Sequence, residues 1–175
     1  MSNHLKPEVD SRDHVQGSAD ASIEIVEYGD YQCPHCGSAY PVIKEVQKKF
    51  GSQIRFVFRN FPLSESHEFA MPASIASEAA ALQDKFWEMH DIIFENQASL
   101  SDEGLFKMAD EAGLDINQFK EDIQKQELEE KVESDFESGI RSSVNGTPSF
   151  FVNGTKFDGD AQDLMDMLLE NSEVK

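Results

Sequence analysis

At 175 residues and 39% hydrophobic, with thirteen Phe, the chain is long enough to bury one substantial core, and its size favours a single domain. Thirty-four acidic against fifteen basic residues leave a net charge of −19, which argues against nucleic-acid or anionic-membrane binding, because both need positive potential. No apolar stretch of roughly 7 to 15 residues follows a basic segment near the start, and nowhere do about 18 apolar residues run together. The expectation is a soluble, cytoplasmic chain without membrane insertion, or a periplasmic or extracytoplasmic one if a signal has been trimmed.

Residues 1–20 are polar, mix charges and carry Pro7, Gly17 and Ser18, so they read as an irregular lead-in; the single domain is expected over 21–175. Ile23 to Tyr28 is short and β-branched and is bounded by Gly29-Asp30, which predicts a strand. The strand delivers the chain to Cys33-Pro34-His35-Cys36, which holds both cysteines of the sequence. After it Cys36, Ala39, Tyr40, Ile43, Val46, Gln47 and Phe50 recur at three- and four-residue spacing, predicting an amphipathic helix that Gly51 ends and Pro41 kinks. Ile54 to Phe61 alternates as a second strand. Strand, helix, strand at this spacing is a βαβ unit with parallel strands and a right-handed crossover, so the cysteine pair falls at the carboxyl edge of a sheet, where open α/β folds place their sites.

From about residue 64 to 138 the sequence turns helical: alanine-rich over Ala70 to Leu82, aromatic over Phe86 to Phe94, then two further helical stretches. Ser101 to Gly104 signals a helix start and Gly113 a stop before Leu114 to Ile123. This is a helical insertion within the domain. Asn153-Gly154 between Ser149-Phe150-Phe151-Val152 and Thr155-Lys156-Phe157 predicts a hairpin with a type I′ turn, and a last helix with Leu164, Met167 and Leu168 runs into an acidic tail.

Two cysteines separated by two residues in a chain this long read as a redox pair rather than a structural disulfide. A zinc ribbon needs about four ligands, and no second CxxC or H-x-x-x-H supplies them, so no metal is expected. Disulfide exchange needs a thiolate, and a cysteine at a helix N-terminus gains from free N–H groups and the macrodipole. Cys33 has that position and Cys36, one turn in, does not. Cys33 is therefore the expected accessible nucleophile and Cys36 the resolving thiol, with His35 adding a positive charge or a hydrogen bond.

These residues resemble the thioredoxin superfamily, an α/β fold with a mixed central sheet flanked by helices. Cys33-Pro34-His35-Cys36 with a long helical insertion resembles its DsbA-like branch of thiol–disulfide oxidoreductases. The resemblance covers roughly Ile23 to Leu169. It implies a cis proline at Pro148, within Val144-Asn145-Gly146-Thr147-Pro148-Ser149-Phe150, with Thr147 and Pro148 receiving a substrate peptide. It implies that Pro34 and His35 belong to the catalytic motif, and that Glu27, six residues before Cys33, is a buried acid relaying protons to the resolving thiol. The implied partners are protein thiols and disulfides, with no cofactor beyond glutathione as a redox partner. The absent export signal leaves the direction of exchange open. Glutathione-dependent isomerases and transferases of kappa-like type are an alternative that Cys36 disfavours, and a non-catalytic peptide-binding or redox-sensing module is another. His67 and His90 read as helix-face or packed histidines, and Phe86, Trp87, Met89, Ile93 and Phe94 read as core in preference to a groove wall.

Overall fold

The computed structural model describes residues 3–173; the last two residues of the acidic tail lie outside the described residues. Strand β2 (Ile23–Gly29) runs parallel to β3 (Ile54–Asn60), joined through helix α1 (Pro34–Phe50) and a short 3-10 turn at 51–53. β4 (Ser149–Val152) pairs antiparallel with the other side of β2, and β5 (Thr155–Phe157) with β4, across Asn153 and Gly154, both at positive φ as a type I′ turn requires. The sheet is five-stranded in the order β1-β3-β2-β4-β5, with β1 the strand His14–Gly17. This is the thioredoxin-like α/β fold expected.

The lead-in is not irregular throughout. β1 lies antiparallel on β3, and Leu5 is buried against Val26, Val57 and Phe151. The polar composition hid this strand. It pairs the N–H and C=O groups on the outer side of β3, which would otherwise be left unpaired.

Strand alternation sends Ile25, Phe56, Phe58 and Phe150 to one face, where α1 buries Ala39, Ile43, Val46 and Phe50 against them. Each fully buried large apolar side chain contributes about 1.5–3 kcal/mol. Helix α7 (Ala161–Glu173) adds Leu164 and Leu168 to that core. The other face carries Val26, Tyr28, Val57 and Phe151.

The insertion begins with a non-helical segment, 61–69, before α2 (Ala70–Ala81) and α3 (Phe86–Glu95). Three helices follow where two are expected: α4 (Asp102–Glu111), α5 (Ile116–Asp122) and α6 (Gln126–Arg141). Ser101 and Asp115 cap α4 and α5 by accepting from the amides of Gly104 and Gln118. α6 approaches the second face of the sheet so closely that a Cβ on Gly139 would lie 2.7 Å from the Phe61 ring. Phe86, Met89, Ile93 and Phe94 are core, and Trp87 packs on Phe56.

Candidate active site

The site forms where β2 ends. Gly29 closes the strand, Asp30 turns the chain, and Cys33 takes extended geometry (φ −67°, ψ 124°) as the N-cap of α1, with Pro34 at the first helical position. Proline fits there because its fixed φ suits a helix start and the N–H it lacks would have no helical partner. α1 continues without a break through Pro41.

Asp30 anchors this turn from a fully buried position. Its Oδ1 accepts from the amides of Gln32 (2.8 Å) and Cys33 (3.1 Å), and its Oδ2 from the amide of Leu63 (2.9 Å), with His67 Nδ1 at 2.8 Å. The Asp30 amide points at Cys36 Sγ, 3.4 Å away. From the far side of the insertion, Gln97 Nε2 donates to the carbonyls of Tyr31 (2.9 Å) and Cys33 (2.8 Å).

Both cysteines are free thiols. Cys36 is 0% exposed and Cys33 only 4%, so Cys33 is less open than an accessible nucleophile was expected to be. Its sulfur faces Thr147 O at 3.7 Å, and the Thr147–Pro148 peptide is cis. Thr147 Oγ1 is buried with no hydrogen-bond partner beside the neutral thiol, which leaves it available to a thiolate.

The electrostatics separate the two sulfurs. The pKa of Cys33 is lowered to about 5: hydrogen bonding from Cys36 is the largest cause and outweighs the opposing cost of burial, and the Thr147 side chain and the amides of Cys36 and His35 add to it. Burial first, then the hydrogen bond to Cys33 and the Glu27 charge, push the Cys36 thiol far above the ordinary value. His35 is exposed, and it helps lower the Cys33 pKa through its backbone amide.

Glu27 is 3% exposed and pairs in register with Phe58 and Phe150, on the face of the sheet that α1 and both cysteines share. Its Oε2 has no hydrogen-bond partner. Burial, and secondarily the negative charge of Cys33, raise its pKa to about 8, so at neutral pH it holds a proton within the core that contains Cys36.

Two histidines divide as their surroundings dictate. His90 is packed among Tyr31, Phe58, Phe86 and Phe94, and burial, followed by the charges of Lys44 and His14, holds its pKa well below the ordinary value. Its Nδ1 and the Tyr31 hydroxyl share a hydrogen bond at 2.9 Å. His67, expected in a helical stretch as a helix-face or packed histidine, sits in the non-helical 61–69 segment, packed against Asp30. Sequence reasoning therefore missed Asp30, His67 and Gln97 as supports of the cysteine turn. The one local signal was Asp30 at three residues before the N-cap, the spacing at which a carboxylate can take the Cys33 amide.

The thioredoxin family profile matches residues 10–171 of this sequence. The chain belongs to the thioredoxin family. Among solved structures this thioredoxin-family chain is similar to a thioredoxin-like oxidoreductase from Silicibacter pomeroyi DSS-3 (25% identity, TM-score 0.78, 94% of each chain covered). It is also similar in fold to the thiol-disulfide exchange protein alpha-DsbA2 from Wolbachia pipientis (21% identity, TM-score 0.80, covering 92% of this chain and 88% of that one). A curated relative, Na(+)/H(+) antiporter NhaA 1 of Mycolicibacterium vanbaalenii, is 42% identical over 157 residues, covering 89% of this chain but 25% of that protein. The chain spans about a quarter of the length of the curated relatives it matches. No helix among the described residues is long and apolar enough to cross a membrane.

Proposed function

We propose that the chain is a thiol–disulfide oxidoreductase that exchanges disulfides with protein substrates through Cys33 and Cys36. The observation that carries this reading is the opposed pair of acidities: a Cys33 pKa of about 5 beside a buried Cys36 held as a thiol. Two units below neutrality, Cys33 is thiolate over thiol by roughly a hundred to one at pH 7.

In the reducing direction the Cys33 thiolate attacks one sulfur of a substrate disulfide, forming a mixed disulfide and expelling the other substrate sulfur as a thiolate. Cys36 then loses its proton, attacks Cys33 Sγ, and releases the second substrate thiolate, leaving a Cys33–Cys36 disulfide. Once Cys33 is held in the mixed disulfide, its negative charge no longer raises the Glu27 pKa, and the carboxylate form of Glu27 takes the Cys36 proton; in its protonated form it is the acid when the reaction runs backward. Thr147 and the cis Pro148 present backbone to a bound peptide beside Cys33. Running backward from the disulfide form, the same steps oxidise a substrate dithiol. The redox partner, glutathione or a protein thiol, fixes which direction dominates. The likeness to antiporters covers about a quarter of the length of those proteins, so the transport that their name describes is not carried over to this chain.

The test is insulin reduction and mixed-disulfide trapping. Cys33→Ser abolishes turnover, and Cys36→Ser accumulates covalent adducts through Cys33. Turnover surviving Cys33→Ser refutes the reading.

A further inference from the structure

Beside the cysteine turn lies an open groove of about 420 Å³, in the size range of ligand clefts, between the 61–69 segment and α6. Its floor is half-buried Leu63, Met71 and Phe136, the last stacked on buried Phe61 at 4.2 Å between centroids. Its rim is three exposed carboxylates, Glu65 from the segment and Glu133 and Glu137 from α6.

Two features of this rim bear on what the groove would bind. None of the three carboxylates is ion-paired among the described residues, whereas Glu24, Glu78 and Asp91 each hold a basic partner. Glu133 and Glu137 stand four apart on one helix, an arrangement of like charges that disfavours the helix unless a cation comes between them. The groove is linked to the cysteine turn through Leu63 of its floor, whose amide donates to the Asp30 carboxylate that also accepts the Cys33 amide.

We propose that this groove receives an extended segment of the substrate protein in which apolar side chains are flanked by lysine or arginine. The apolar side chains cover Leu63, Met71 and Phe136, and the cationic ones lie against Glu65, Glu133 and Glu137. The inference rests on the thiol–disulfide reading and adds to it a preference for cationic substrates.

The probes are two synthetic peptides with the same apolar centre and one internal disulfide, flanked by lysine in one and glutamate in the other. A neutral small disulfide, hydroxyethyl disulfide, reports the chemistry without the groove. In the intact chain the lysine peptide is reduced about tenfold faster than the glutamate peptide at low salt, a ratio that shrinks as the Debye length falls below about 10 Å. Glu133→Lys/Glu137→Lys collapses or inverts that ratio and leaves the rate with hydroxyethyl disulfide unchanged. Asp110→Lys/Glu111→Lys, an equal charge change at exposed positions ending α4, leaves the ratio intact. A ratio unaffected by the groove variant, or equally affected by the α4 variant, overturns the proposal. Failure of Cys33 to react with hydroxyethyl disulfide overturns the thiol–disulfide reading itself, and the groove's role with it.

Discussion

Replacing Glu27 by glutamine removes the one carboxyl that the core around Cys33 and Cys36 holds without a partner on Oε2, and its effect on stability depends on pH in a direction the structure dictates. Below pH 4.5 the carboxyl is protonated both folded and unfolded, so it contributes no pH dependence. Between pH 4.5 and 8 the unfolded chain releases the proton and the folded chain keeps it, so wild-type stability attributable to this group falls as pH rises. The interval of 8 − 4.5 = 3.5 units, at 1.36 kcal/mol per unit, corresponds to a loss of about 5 kcal/mol that is complete above pH 8. Glutamine does not titrate. An unsatisfied amide would cost the variant a constant amount, so the informative quantity is the slope: the stability of Glu27→Gln relative to wild type rises by about 5 kcal/mol between pH 4 and pH 9. Urea unfolding of the reduced proteins at several pH values measures it. Cys33 titrates in both proteins, with an opposite dependence that largely cancels in the difference. A difference that stays flat from pH 4 to pH 9 refutes the buried, proton-holding Glu27.

Thr147→Val removes the hydroxyl that is available only to the Cys33 thiolate, so the Cys33 pKa rises, by up to about one unit for a single charge-assisted hydrogen bond, while thermal stability changes little; absorbance of the thiolate at 240 nm follows it. Gln97→Ala leaves the Tyr31 and Cys33 carbonyls without their side-chain donor and costs about 1–3 kcal/mol in denaturant unfolding, whereas an unchanged midpoint means the insertion does not hold the turn.

What could be read in the sequence was what local chemistry determines. The strand into Cys33-Pro34-His35-Cys36, the helix it caps, the parallel partner strand and the Asn153-Gly154 hairpin each follow from periodicity or turn residues within a few positions. Thr147 and Pro148 were reachable only through family resemblance, since nothing local places them against Cys33. β1 was missed because an edge strand that pairs through backbone needs little apolar sequence. Two helical stretches were legible after Phe94 where three helices form, and the last of them, α6, buries Leu128, Val132 and Asp135 within an acidic run. Asp30, His67 and Gln97 meet only because the insertion folds back over the end of β2, and hydrogen bonds spanning 37 and 64 residues leave no periodic trace.

The central claim is that Cys33 is a thiolate at neutral pH while Cys36 is not. Alkylation of the reduced protein with iodoacetamide across pH 3 to 10, with each adduct located by peptide mass, tests it directly. The account predicts that Cys33 reacts with a midpoint near pH 5 and that Cys36 stays unmodified until the fold is lost. A Cys33 midpoint near the ordinary thiol value of about 8.5 would contradict it.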